Sequence, residues 1–107
     1  MRAKRDIFRI CDVSALVLER QILLLKNEMS KRDVLKSHFD RLEGLALVLD
    51  GSDIFDRKQR STFLDATFDE RLRLNHELAK AEVRVLDQLD HARLAFVRQD
   101  ILRRQFC

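Results

Sequence analysis

The sequence has no proline, no tryptophan and no tyrosine, and only two glycines and two cysteines in 107 residues. Without proline, and with so little glycine, nothing local stops a helix over most of the chain. Cys11 and Cys107 are too few and too far apart for a disulfide framework or a clustered zinc site, so reduced thiols are expected. A glycine-rich phosphate loop is absent, as is a His-Glu-x-x-His pair. Nor does any stretch approach the roughly 18 uncharged apolar residues that a membrane span requires. The start, Met-Arg-Ala-Lys-Arg, resembles a secretory leader only until Arg9, Asp12, Glu19 and Arg20 interrupt the apolar run. A protein without membrane insertion, located in the cytoplasm, is expected.

An excess of one charge is also missing. The 21 basic residues face 18 acidic ones, giving a net charge of +3, and the two signs are interleaved along the chain. Such patterning describes a solvated helix face better than a nucleic-acid footprint. What the chain does have is 46% hydrophobic and 36% charged residues with 7 phenylalanines, the composition of a protein built from long helices.

The clearest pattern lies between Leu74 and Phe106. Leu74, Leu78, Ala81, Val85, Gln88, Ala92, Ala95, Gln99, Leu102 and Phe106 follow one another at alternating spacings of four and three, a heptad seam. So narrow a stripe needs an equally long partner helix. The first half of the chain supplies one in Phe8, Cys11, Ala15, Leu18, Ile22, Leu25 and Met29. After Met29 the pattern stumbles at Arg32 and resumes, displaced, as Leu35, Phe39, Leu42, Ala46 and Leu49, which reads as a stammer in a continuous, locally overwound helix. Ser30 and Asp33 offer a cap that would instead split this helix in two. Gly44 suggests close approach of an opposing backbone.

Asp50-Gly51-Ser52-Asp53 is the one strong turn signal, with Gly51 suited to the left-handed position that closes a helix. A calcium loop does not fit, because the glycine is second rather than sixth and Ser61 stands where the loop needs Glu. A second helix opens near residue 53, at Ser52 or Asp53, or near 62, at Ser61 or Thr62. Phe63, Leu64 and Phe68 then pack near the turn against Leu42 and Leu49. The expected fold is all-α: a long antiparallel, coiled-coil-like helical hairpin forming one domain over 1–107, with a helix at about 4–50, a turn at about 51–61 and a helix at about 62–106.

Apolar residues spill beyond both seams. Val13, Val17 and Leu24 form a second row on the first helix, and Leu86, Leu94 and Val97 belong to one on the second. A single hairpin shelters one face of each helix, so these rows are expected to bind a partner, most simply a second copy in a four-helix bundle, or else a helix of another protein. Ile54 and Phe55 at the turn form a further candidate contact. No catalytic, metal-ligating or cofactor-binding constellation is found. His76 and His91 lie fifteen residues apart on one helix, about 22 Å along its axis, too far to share a metal or a proton. The seam glutamines Gln88 and Gln99 are expected to fix register and partner number.

The run from Glu77 to Asp100, Glu-Leu-Ala-Lys-Ala-Glu-Val-Arg-Val-Leu-Asp-Gln-Leu-Asp-His-Ala-Arg-Leu-Ala-Phe-Val-Arg-Gln-Asp, resembles the second helix of the FliJ and YscO/SctO family, the small stalk proteins of type III secretion systems. There, an Ala-Glu- and Ala-Arg-rich helix with an aromatic near its end packs antiparallel on a long first helix. The resemblance implies a bacterial cytoplasmic accessory of the export ATPase, in contact with that ATPase or with chaperones, and without catalytic residues of its own. A different class remains open from the residues alone: a dimeric helical regulator or nucleic-acid-associated factor using the basic ends Arg2, Lys4, Arg5, Arg103 and Arg104, which an antiparallel hairpin brings together.

Overall fold

The computed structural model describes residues 2–51 and 56–106, with side chains from Lys4 onward. It is an all-α helical hairpin of two helices, α1 (Arg2–Asp50) and α2 (Arg57–Phe106). The Ser30 cap goes unused, and α1 runs through it without a break. Ile54 and Phe55, the turn contact expected from sequence, lie outside the described residues.

The seam of α1 differs from the expected one. The residues that turn inward are Ile7, Cys11, Ser14, Leu18, Gln21, Leu25, Glu28, Arg32, Leu35, Phe39, Leu42, Ala46 and Leu49, at strict spacings of four and three. Phe8, Ile22 and Met29, placed on the seam by their hydrophobicity, are 59%, 38% and 37% exposed. The stammer therefore disappears, because Ser14, Gln21, Glu28 and Arg32 are true seam members and the heptad count never slips. On α2 the expected seam holds from Leu74 to Leu102 and continues back through Arg71, Thr67, Leu64 and Arg60, while Phe106 is exposed.

Three local signals resolve differently from expectation. Gly51 is not left-handed; its amide donates to the Leu47 carbonyl at 3.2 Å, which simply adds a last helical bond. α2 opens between the two expected starts, at Arg57, through a reciprocal cap. The Gln59 amide donates to Asp56 Oδ1 at 2.7 Å, and the Asp56 amide donates to Gln59 Oε1 at 3.3 Å. This is a capping box with Asp in the first position and Gln in the fourth, satisfying two amides that would otherwise be orphaned at the helix start. Gly44 faces open space, with nothing within 4 Å of where a Cβ would stand, so it marks no close backbone approach.

The chain divides into two compact units, Met1–Met29 with Val83–Cys107, and Ser30–Glu82. In the second unit, Leu49, Ala46 and Leu74 are buried with Ala81 and Thr67, whose hydroxyl donates to the Leu64 carbonyl at 2.9 Å. Arg32 reaches out of this seam to Asp33 at 3.1 Å and to Glu82 at 3.7 Å. Leu64 is half-buried as expected, but Phe63 and Phe68 are 47% and 53% exposed. On the solvent face, hydrogen bonds from Arg73 hold the Glu70 carboxyl below the usual carboxylate range.

Candidate helix-binding surface

The first unit carries the rows expected to bind a partner. Its seam is lean: Val85, Ala92 and Ala95 of α2 are buried, and the α1 residues that meet them are only half-buried. Small side chains on one helix let the other approach closely, so little large apolar surface is consumed in holding the hairpin together. Register is set by polar contacts. The Gln88 amide group donates to the side-chain oxygen of Gln21 and, at 3.3 Å, to its backbone carbonyl. Arg84 Nε bonds Glu28 Oε2 at 3.2 Å. Gln88 thus has a polar partner across the seam; that this partner would be Gln21 was hidden by the stronger hydrophobic signal of Ile22 beside it. Cys11 is disulfide-bonded, which corrects the expectation of reduced thiols; Cys107, the other cysteine, lies outside the described residues.

Because the seam is lean, the large aliphatics stand outside it. Val13, Val17 and Leu24 are 53%, 46% and 40% exposed, and Leu86, Leu94 and Val97 are 58%, 48% and 50% exposed. The structure does not gather these six on one face. Counted around each helix from the seam, Ile10, Val17 and Leu24 lie on one flank of α1 with Val13 just beyond them, and Leu94 and Ile101 lie on the same edge of the unit from α2. Leu86 belongs to the opposite edge and Val97 to the back of α2.

The first edge contains a groove of about 500 Å³, lined by Ile10, Val13 and Val17 on one side and by Ala95 and Leu102 on the other, with Ser14 between them. Asp6, Arg9 and Arg98 stand at its rim. Its depth comes from the two small seam residues Ser14 and Ala95, where larger side chains would have filled the furrow. The opposite edge has no such groove among the described cavities; it is a strip of Phe8, Ile22, Met29, Leu89 and Phe96, with charge only at its margins. Sequence reasoning missed this strip as a surface because it assigned three of its members to the seam. The signal that could have found it was the unbroken heptad count running back from Leu35 through Arg32, Glu28 and Gln21.

No helix of the described residues is long and apolar enough to cross a membrane. Among the same residues, no group of three or more His, Cys, Asp and Glu side chains is gathered at one point. Compared with protein-family models, curated proteins and solved structures, the chain matches none.

Proposed function

We propose that this chain is a non-enzymatic helical adaptor that works by offering apolar edges to the helices of protein partners. The observation that carries this reading is the exposure of large aliphatic and aromatic side chains at helical spacing on both flanks of a polar-pinned seam. Full burial of each such side chain is worth roughly 1.5–3 kcal/mol. Several of them together rival the whole stability of a small domain, about 5–15 kcal/mol, so leaving both edges wet forgoes a large driving force. The uncharged strip of Phe8, Ile22, Met29 and Phe96 suits a second copy of the chain. A two-fold rotation about the long axis of this unit sets Glu19 on the rim of one copy level with Arg93 on the rim of the other, twice over. The resulting assembly is a four-helix bundle.

The resemblance of α2 to the type III secretion stalk family directs the heterologous side of this function to a cytoplasmic export apparatus, with its ATPase or its chaperones as partners. In a reducing cytoplasm the Cys11 disulfide would open, so the adaptor reading relies on the polar seam contacts rather than on that bond. The test is direct binding of the immobilised chain to the purified export ATPase from the same source, with and without reductant. Micromolar or tighter binding that is lost on Ile22→Glu or Val13→Asp substitution supports the reading. Failure to bind the ATPase, together with salt-sensitive binding to duplex DNA through Lys4, Arg5, Arg103 and Arg104, would replace it with the nucleic-acid alternative.

A further inference from the structure

We infer that the groove between Val13 and Ala95 takes an amphipathic helix whose apolar stripe is flanked by acidic residues, supplied by a different protein rather than by a second copy. The inference rests on the adaptor reading and names the chemistry of the partner.

Three observations carry it. The apolar wall has the period of a helix: Ile10, Val13, Val17 and Leu24 continue along α1 at spacings of three, four and seven, a length of about 21 Å at ~1.5 Å per residue. A periodic furrow of this kind accepts the side chains of a third helix, knob by knob, whereas a lipid chain or small ligand gains nothing from the period. Second, the rim is cationic and unspent. Arg9 and Arg98 border the groove, and among the described residues no carboxylate pairs with either of them; Asp6 is the only acidic group on the lining. Guanidinium groups beside an apolar floor favour carboxylates on the incoming helix, which they can bind through paired hydrogen bonds. Third, self-docking is disfavoured on this edge. On α2 the flanking positions that would enter a shared core are Arg84, which is already bonded to Glu28, His91 and Arg98, so a two-fold copy would bury three polar side chains and set Arg98 of one copy against Arg98 of the other in a partly dry interface. The opposite edge carries no such residues over the same length, which separates the two surfaces by occupant.

The test uses the full chain and two labelled helical peptides, identical in a three-heptad Leu/Ala stripe and differing only in flanking residues, all Glu in one and all Lys in the other. Fluorescence anisotropy should show the Glu peptide binding about tenfold or more tightly than the Lys peptide, with the preference shrinking as salt rises. The double variant Arg9→Glu, Arg98→Glu should reverse that order. Val13→Asp, at a position exposed in the free chain, should abolish binding while circular dichroism reports an unchanged helix content. Equal binding of both peptides, or binding of neither, overturns the inference. So does a homodimer dissociated by Val13→Asp and untouched by Ile22→Glu, since a second copy would then own the groove. Arg-dependent binding of phosphatidylserine vesicles without binding of the Glu peptide overturns it as well. If the strip with Ile22 does not dimerise but the Glu peptide binds, the self-association reading fails and the groove inference stands.

Discussion

At the scale of single residues, the polar members of the seam carry more information than the aliphatics around them. Gln21 and Gln88 satisfy one another in a half-buried site, and the asymmetry of hydrogen-bond energetics predicts how they respond to substitution. Gln88→Leu alone should destabilise the fold by about 0.5–1.5 kcal/mol, read as a lower thermal midpoint, because it leaves the acceptor oxygens of Gln21 unpaired. The double change Gln21→Leu, Gln88→Leu should recover or exceed the original stability while loosening the alignment of the helices, readable by thiol cross-linking at engineered pairs. Gly44 offers the opposite kind of change. With open space around its Cβ position, Gly44→Ala should stabilise α1 by about 0.5–1 kcal/mol in thermal or urea unfolding. Glu70 illustrates how little an exposed pair contributes. Its depressed carboxyl supports folding above its unfolded pKa and loses that support as pH falls through its lower folded value, but solvent screens the contact. Glu70→Gln should therefore leave the midpoint essentially unchanged at neutral pH and high salt.

At the scale of the helices, what was legible in the sequence depended on whether hydrophobicity and register agreed. In α2 they do: Leu74, Ala81, Val85, Ala92 and Ala95 are both apolar and inward, and from Leu74 to Leu102 the seam read from the sequence is the seam observed. In α1 the two signals part company. Phe8, Ile22 and Met29 outcompete Ile7, Gln21 and Glu28 for a reader who scores hydrophobicity, yet the helix turns the latter inward because the glutamine pair and the Arg84–Glu28 bond reward that register. The start of α2 was missed for a different reason. The expected caps were Ser52, Asp53, Ser61 and Thr62, whereas the operative pair is Asp56 and Gln59, within a charged run between them. Asp56→Ala should cost about 1 kcal/mol and fray the first turn of α2, seen as faster amide hydrogen exchange at the start of that helix. The exposed apolar surface was legible as an excess of apolar rows, but its division into two edges was not. That division depends on which neighbours of the seam are charged, and so on the register itself.

At the scale of the whole molecule, the proposed adaptor function rests on the exposed edges of the first unit. A hairpin held by alanines and polar contacts stays folded while keeping its large aliphatics available, and this arrangement suits a component that is completed by its partners. One edge is apolar between charged margins, the other grooved with Arg9 and Arg98 on its lining, so the proposed self-association and the proposed docking of an acidic helix use different surfaces. The measurement that tests this account most directly is sedimentation equilibrium of the purified chain over the micromolar range, alongside the double variant Ile22→Glu, Phe96→Glu. The account predicts a concentration-dependent shift from monomer to dimer for the unmodified chain and a helical monomer at every concentration for the variant. A unmodified chain that remains monomeric throughout, with a midpoint of unfolding indifferent to concentration and to the double substitution, would contradict it.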